Sequence, residues 1–214
     1  GEAVALAVRI ARAFTKRDTV LFSGYHGWND WYIAANLSND SNLDGQLMPG
    51  LKPNGVPRAL EGSAIPFEPS NIVSLKEKIK GKENQIAAII IEPARGQDAS
   101  ITYLKDLQDL SNEIGAVLIF DEITSGFRMC LGGVHKKYEV YPDIAVFAKS
   151  IANGYAMSAV IGKEKVMEAA QSTFISSTNW TDRVGPAAAL ATITKYKKQN
   201  VDKKIIKVGN TVKE

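Results

Sequence analysis

The sequence predicts an α/β fold built on a mostly parallel sheet. Three observations carry that prediction. Residues 86–91, 116–120, 144–148 and 159–161 are short, continuous apolar runs, the pattern of strands buried on both faces. Between the first two, Leu104, Leu107, Leu110 and Ile114 recur at three and four residues, a helical stripe. Strand, helix, strand in that order forms a crossover unit, and the crossover makes its two strands parallel.

The remaining elements follow in chain order. Residues 2–14 are rich in Ala, Val, Leu and Ile, with Arg9 and Arg12 three apart on one face, and read as a packed helix. Residues 19–22 form a short strand ending at Ser23-Gly24. Residues 36–63 are dense in Asn, Asp, Ser, Gly and Pro and read as a long irregular loop. Loops of that length in compact domains are commonly functional. Residues 163–171 and 185–198 look helical, and the stretch beyond Gln199 is lysine-rich.

Composition narrows the class. The 214 residues are 45% apolar and 23% charged, which is ordinary for a globular chain and excludes a disordered one. No apolar run reaches the ~18 residues that span a bilayer, so no membrane partner is expected. The start, Gly1-Glu2-Ala3-Val4, lacks the basic stretch of a signal peptide, and the single Cys130 has no internal disulfide partner. Both point to a reducing, cytoplasmic setting. A net charge of +3 is too small to imply nucleic acid. Lys195, Lys197, Lys198, Lys203, Lys204, Lys207 and Lys213 are read as a solvated helix face instead.

In parallel sheets ligands gather at the carboxyl ends of the strands. Glu92-Pro93 follows the first central run, Asp121-Glu122 the second, and Lys149-Ser150 the third. Tyr25-His26-Gly27-Trp28 follows residues 19–22 at the same edge. Taken singly, each is ordinary: a strand-end Asp usually caps a loop, and a loop Lys is usually solvated. Together they make a chemical set. A desolvated lysine is an amine nucleophile toward a carbonyl. A carboxylate beside it can hold a pyridinium nitrogen protonated, and a flat aromatic ring can stack on a flat cofactor. Gly1 opens the first helix and offers backbone N–H groups to a phosphate. Glycine-rich nucleotide motifs, a serine-hydrolase elbow and zinc spacing are absent, and the two histidines, His26 and His135, cannot build a zinc site.

The set Gly1-Glu2-Ala3, Tyr25-His26-Gly27, Glu92-Pro93, Asp121-Glu122-Ile123-Thr124-Ser125-Gly126-Phe127-Arg128 and Lys149 with Asn153-Gly154 resembles the class III aminotransferases. These are fold-type I enzymes dependent on pyridoxal 5′-phosphate (PLP). The pattern is nearest that of the glutamate-1-semialdehyde aminomutases and their aminotransferase relatives, in the same order from residue 1 to about 192.

The resemblance implies a three-layer αβα fold with a mostly parallel mixed sheet, and residues 1–214 as the PLP-binding large domain of a longer enzyme. An N-terminal segment and a small C-terminal domain would complete it, with Glu214 in a helix leading toward that domain. It implies amino-group transfer between small amino and oxo substrates. Lys149 would form an aldimine with the cofactor and afterwards move the proton, and Asp121 would salt-bridge the pyridine nitrogen. Tyr25, with His26 beside it, would cover one ring face and Ile123 the other. Glu92 would sit near cofactor and substrate, and Gly1 and Glu2 would belong to the turn that cups the phosphate.

Thr178 or Thr181 would reach the phosphate of a neighbouring subunit, which implies a homodimer with shared active sites. Either threonine could instead cap the helix beginning near Gly185. Thr124 stands where many members carry Gln or Met near the phenolic oxygen. Trp28, Trp31 and Tyr32 fall near the family's dimer contact, and their exposure would leave an apolar patch that drives self-association. The loop at 36–62 matches a region that can gate the site. The competing reading is a binding or dimerisation module of the same fold without turnover. Retention of Asp121 and Lys149 favours the enzyme.

Overall fold

The computed structural model describes residues 1–95, 97–98 and 100–213. Glu214, expected in a helix, lies outside them. The chain opens with α1 (Glu2–Thr15), β1 (Thr19–Ser23), α2 (Asp30–Ile33) and α3 (Ala35–Ser38), then β2 (Ala64–Pro66), α4 (Ile72–Ile79) and β3 (Ile86–Ile91). A small ladder of β4 (Ala94–Arg95) and β5 (Gln97–Asp98) precedes α5 (Ile101–Ile114) and β6 (Val117–Asp121). There follow α6 (Val134–Tyr138), β7 (Ile144–Phe147), β8 (Ala159–Gly162), α7 (Glu164–Met167), α8 (Val184–Gln199) and α9 (Val201–Lys213).

Six strands form one sheet in the order β2-β1-β3-β6-β7-β8. Every ladder in it is parallel except β7 with β8. The strands alternate their side chains between two helical layers, as the pleat demands. Phe22, Ile90 and Ile119 face α1, which buries Val4, Ala7, Val8 and Ala11 against them. Leu21, Ile89 and Phe120 face the other way, onto Leu75 of α4 and Leu104 and Leu107 of α5. The sheet is therefore covered on both faces, as the uninterrupted apolar runs require.

The helix ends follow from local chemistry. Lys16 takes a left-handed conformation and stops α1, and Arg12 donates to the Asp18 carbonyl at 2.8 Å. Ser100 caps α5, accepting from the Tyr103 N–H at 3.1 Å, and Gly115 ends it at a φ of 68°. At the amino edge of the sheet Arg17 reaches inward. Its guanidinium donates to the carbonyls of Ile114, Ile86 and Glu83 at 2.7, 3.1 and 3.5 Å.

Several expectations are corrected. The stretch at 36–63 is not one irregular loop: it begins within α3, and Arg58–Leu60 makes a 3₁₀ turn. Directly after it, β2 adds an edge strand that the sequence pattern hides, because its three residues Ala-Ile-Pro are too short and Pro is confined to edges. The run at 159–161 is not buried on both faces. It lies in β8, the antiparallel edge strand, where Ile161 is exposed. Trp31 and Tyr32 form no surface patch. Both are buried against Phe22, and of the three aromatics only Trp28 is open, at 78% exposure.

Candidate active site

The sheet order places β1, β3, β6 and β7 side by side, so the segments that leave their carboxyl ends converge on one edge. Asp121 is the last residue of β6 and is 3% exposed. A carboxylate that deep needs partners. Its Oδ2 lies 2.9 Å from Nδ1 of His26, and its Oδ1 accepts the Ile123 N–H at 3.1 Å. The His26 ring is itself buried, and its Nε2 faces the Ser23 carbonyl at 3.2 Å. Each ring nitrogen thus faces an oxygen, and the ring clamps the carboxylate from behind. Trp31 stacks on that ring at 6.3 Å, which fixes its plane.

Lys149 follows β7 in a 3₁₀ turn at a φ of 49°, a left-handed conformation that costs a non-glycine residue about 1 kcal/mol or more. Its amine is exposed and donates to Oγ1 of Thr124 at 3.0 Å. Thr124 is three residues past Asp121, so the lysine and the carboxylate are joined by one short segment. Ile123, half-buried between them in sequence, packs on the α1-side core.

Tyr25 is 40% exposed at the end of β1. Its N–H donates to Oε2 of Glu92 at 2.8 Å, and the same oxygen takes Arg95 at 3.0 Å. The Arg95 guanidinium stands 6.0 Å from the Tyr25 ring and donates to the Gln46 carbonyl at 3.3 Å. Behind Tyr25, the Tyr32 hydroxyl donates to the Gly24 carbonyl at 2.9 Å. Burial pushes that phenol well above its ordinary range, so it stays a protonated donor.

Gly27 approaches the start of α1 so closely that a Cβ there would stand 2.6 Å from the Gly1 Cα. Its φ of 99° excludes most other residues as well. The contact brings the unpaired N–H groups at the start of α1 beside the Tyr25–Gly27 turn. Gly1, Glu2, Ile123 and Lys149 all line one open cleft of about 1440 Å³. A smaller pocket of about 590 Å³, between Phe127, Arg128 and the α8–α9 pair, contains neither Asp121 nor Lys149.

The structure thus gathers Lys149, Asp121, His26, Ile123, Tyr25, Glu92, Gly1 and Glu2 around one edge. It puts His26 behind Asp121, as its support. Thr178 and Thr181 are exposed; they belong to a turn whose Ser177, Asn179 and Trp180 line the cleft, but neither threonine is among the lining residues. Neither threonine caps α8: Arg183 stands at the cap position without a side-chain cap, and just before it Asp182 Oδ1 accepts the Val184 N–H at 2.9 Å. Sequence reasoning missed Arg95 and the pairing of Thr124 with Lys149. An arginine just after Glu92-Pro93, at a strand end, was the available signal for the first.

Comparison with known proteins identifies the family. A model of the family described as aminotransferase class-III matches residues 1–214. The 3-aminobutyryl-CoA aminotransferase of Cloacimonas acidaminovorans is 35% identical over 199 residues, which cover 90% of this chain and 44% of that protein. The glutamate-1-semialdehyde 2,1-aminomutase of Ignicoccus hospitalis is 36% identical over 208 residues, covering 92% and 48%. Among solved structures, an omega-transaminase from Sphaerobacter thermophilus superimposes with a TM-score of 0.77 at 26% identity, covering 91% of this chain and 47% of that one. The chain spans about half the length of the curated relatives it matches. With the whole chain matched by the family model and the strand-end residues gathered at one edge, the chain belongs to the class-III aminotransferase family.

Proposed function

We propose that this chain is the cofactor-binding large domain of an enzyme that moves an amino group between small amino and oxo substrates with pyridoxal 5′-phosphate. The observation that carries the reading is the pairing, on neighbouring strand ends, of a buried Asp121 clamped by His26 with an accessible Lys149 amine. The family relatives include both an aminotransferase and an aminomutase, and both reactions fit this site.

The residues suit the cofactor. When bound, PLP supplies an aldehyde that captures amines and a ring that takes up the electrons released when a neighbouring carbon loses its proton. Lys149 supplies the amine that holds it and, once released, carries a proton at Nζ. Asp121 would hold a proton on the ring nitrogen, and His26 aims its carboxylate. Tyr25 would offer an aromatic face and Ile123 an aliphatic one to a flat ring. Glu92 fixes the Tyr25 backbone. The N–H groups at Gly1 and Glu2, beside the Gly27 turn that a Cβ would fill, suit a phosphate.

We extend the reading to the assembly. Thr178 or Thr181, exposed on a turn at the rim of the cleft, would reach the phosphate of a second copy in a homodimer. Exposed Trp28, Phe174 and Trp180 around the cleft suit such a contact. The single cysteine suits a cytoplasmic setting.

The test is direct. The chain is mixed with PLP, reduced with borohydride and mapped by peptide mass. The expected adduct sits on Lys149, and adding an amino acid before reduction removes it. A folded chain that gains no adduct, or gains it on other lysines equally, overturns the reading.

A further inference from the structure

We propose that Thr124 is a positioning residue whose hydroxyl holds the free amine of Lys149 in one place at the strand-end edge. The inference rests on the reading of Lys149 as the reactive amine.

The geometry has two parts. The first is the contact itself: Lys149 Nζ donates to Thr124 Oγ1 at 3.0 Å. A lysine side chain carries four rotatable bonds, so an accessible amine without a fixed acceptor samples many positions. An acceptor on a rigid support removes that freedom before any substrate arrives.

The second part is the support, and it is unusually well anchored. Glu122, next to Asp121, is fully buried. It does not point to the cleft. Its carboxylate accepts the Ser125 hydroxyl at 2.5 Å and both the backbone N–H and Nδ1 of His135 at 3.1 Å. Buried charge that well paired pins both ends of the loop at 122–135. Gly126 seals the middle: a Cβ there would meet the Phe147 ring at 2.6 Å. Phe127 adopts a φ of 56° and packs edge-on against Phe147. Arg128 then donates to Ser150 Oγ at 2.7 Å, one residue past the lysine. The loop therefore grips the Lys149–Ser150 turn twice, through Thr124 at the side chain and through Arg128 next door. That double grip also explains how the turn sustains its positive φ.

The hydroxyl is what matters, so the variants are Thr124→Val, which keeps the shape and removes the acceptor, and Thr124→Ser, which keeps the acceptor. Thermal unfolding and circular dichroism establish that both fold. The first readout needs no cofactor: the chain is treated with a small acylating reagent, and Lys149 labelling is measured against the other lysines of the same chain. In Thr124→Val the relative rate departs from wild type by about threefold or more, while Thr124→Ser stays close to wild type. Equal rates in wild type and Thr124→Val, or a change in Thr124→Ser as large as in Thr124→Val, overturn the proposal. The second readout is the rate of borohydride-fixed adduct formation with PLP, expected to fall several-fold in Thr124→Val and to recover in Thr124→Ser. A wild-type chain that gains no adduct overturns the proposed function, and the acylation comparison then still decides the role of Thr124.

Discussion

The two edges of the central sheet solve the same problem in opposite ways. Strand ends expose polar backbone that burial would penalise. At the amino edge Arg17 donates to three carbonyls from two segments, the turn that enters β3 and the end of α5. At the carboxyl edge the polar groups are arranged in tiers. His26, Glu122 and Tyr32 are spent on fixing neighbours, while Lys149 faces an open cleft and Asp121, with oxygens that can each accept more than one hydrogen bond, retains acceptor capacity. One edge closes its own accounts; the other keeps capacity for a ligand. Left-handed backbone occurs at both edges, at Lys16 beside Arg17 and at Lys149, but only at the carboxyl edge does the residue that adopts it present its side chain to the cleft.

The contrast can be broken, beginning where the effect is largest. Replacing Lys149→Ala removes the proposed adduct completely and leaves the thermal midpoint close to wild type, because the exposed side chain gives up one hydrogen bond to Thr124 while the Cβ that sets the backbone strain is kept; borohydride trapping and calorimetry read both. Gly27→Ala drives a Cβ into the Gly1 backbone at a positive φ, and it weakens PLP binding by about tenfold or more, measured by titration. Arg17→Ala acts only at the other edge. It lowers stability by about 2 kcal/mol in urea unfolding and leaves trapping at Lys149 intact. An Arg17 variant that lost trapping at full stability would erase the distinction between the edges.

The smallest effect is a pH dependence on the α5 layer. Burial pushes the Tyr103 phenol up to about 12. The folded state then holds its proton more tightly than the unfolded chain, whose tyrosine titrates near about 10. Its contribution is fully present below about pH 10 and is lost as pH rises through about 12. Tyr103→Phe flattens that alkaline limb of the stability curve.

How legible all this was depends on range. The apolar runs at 86–91 and 144–147 announce themselves, because a strand buried on both faces needs no partner to be recognised. The residues that leave them, Glu92 and Lys149, are legible for the same reason. Asp121 could be placed at the edge, but not paired with His26, which lies 95 residues away and meets it only through the sheet. Thr124 and Lys149 are 25 residues apart, and their contact depends on how one loop folds back over Phe147. Arg17 gave no signal at all: an arginine between a helix and a strand looks like any solvated charge. β2 was hidden by its brevity and its proline. In each case what escaped was a contact made by the tertiary fold rather than by local pattern.

The strand order also sets a timetable. His26 and Asp121 meet only when β1, β3 and β6 lie side by side, and parallel neighbours of this kind form through long crossovers, which are slow to close. Until then Asp121 is an unclamped carboxylate and Lys149 an ordinary amine. Competence to capture a cofactor thus depends on the assembled sheet. In refolding from urea, trapping at Lys149 trails the recovery of helical circular dichroism, so the site serves as a clock for completion of the sheet.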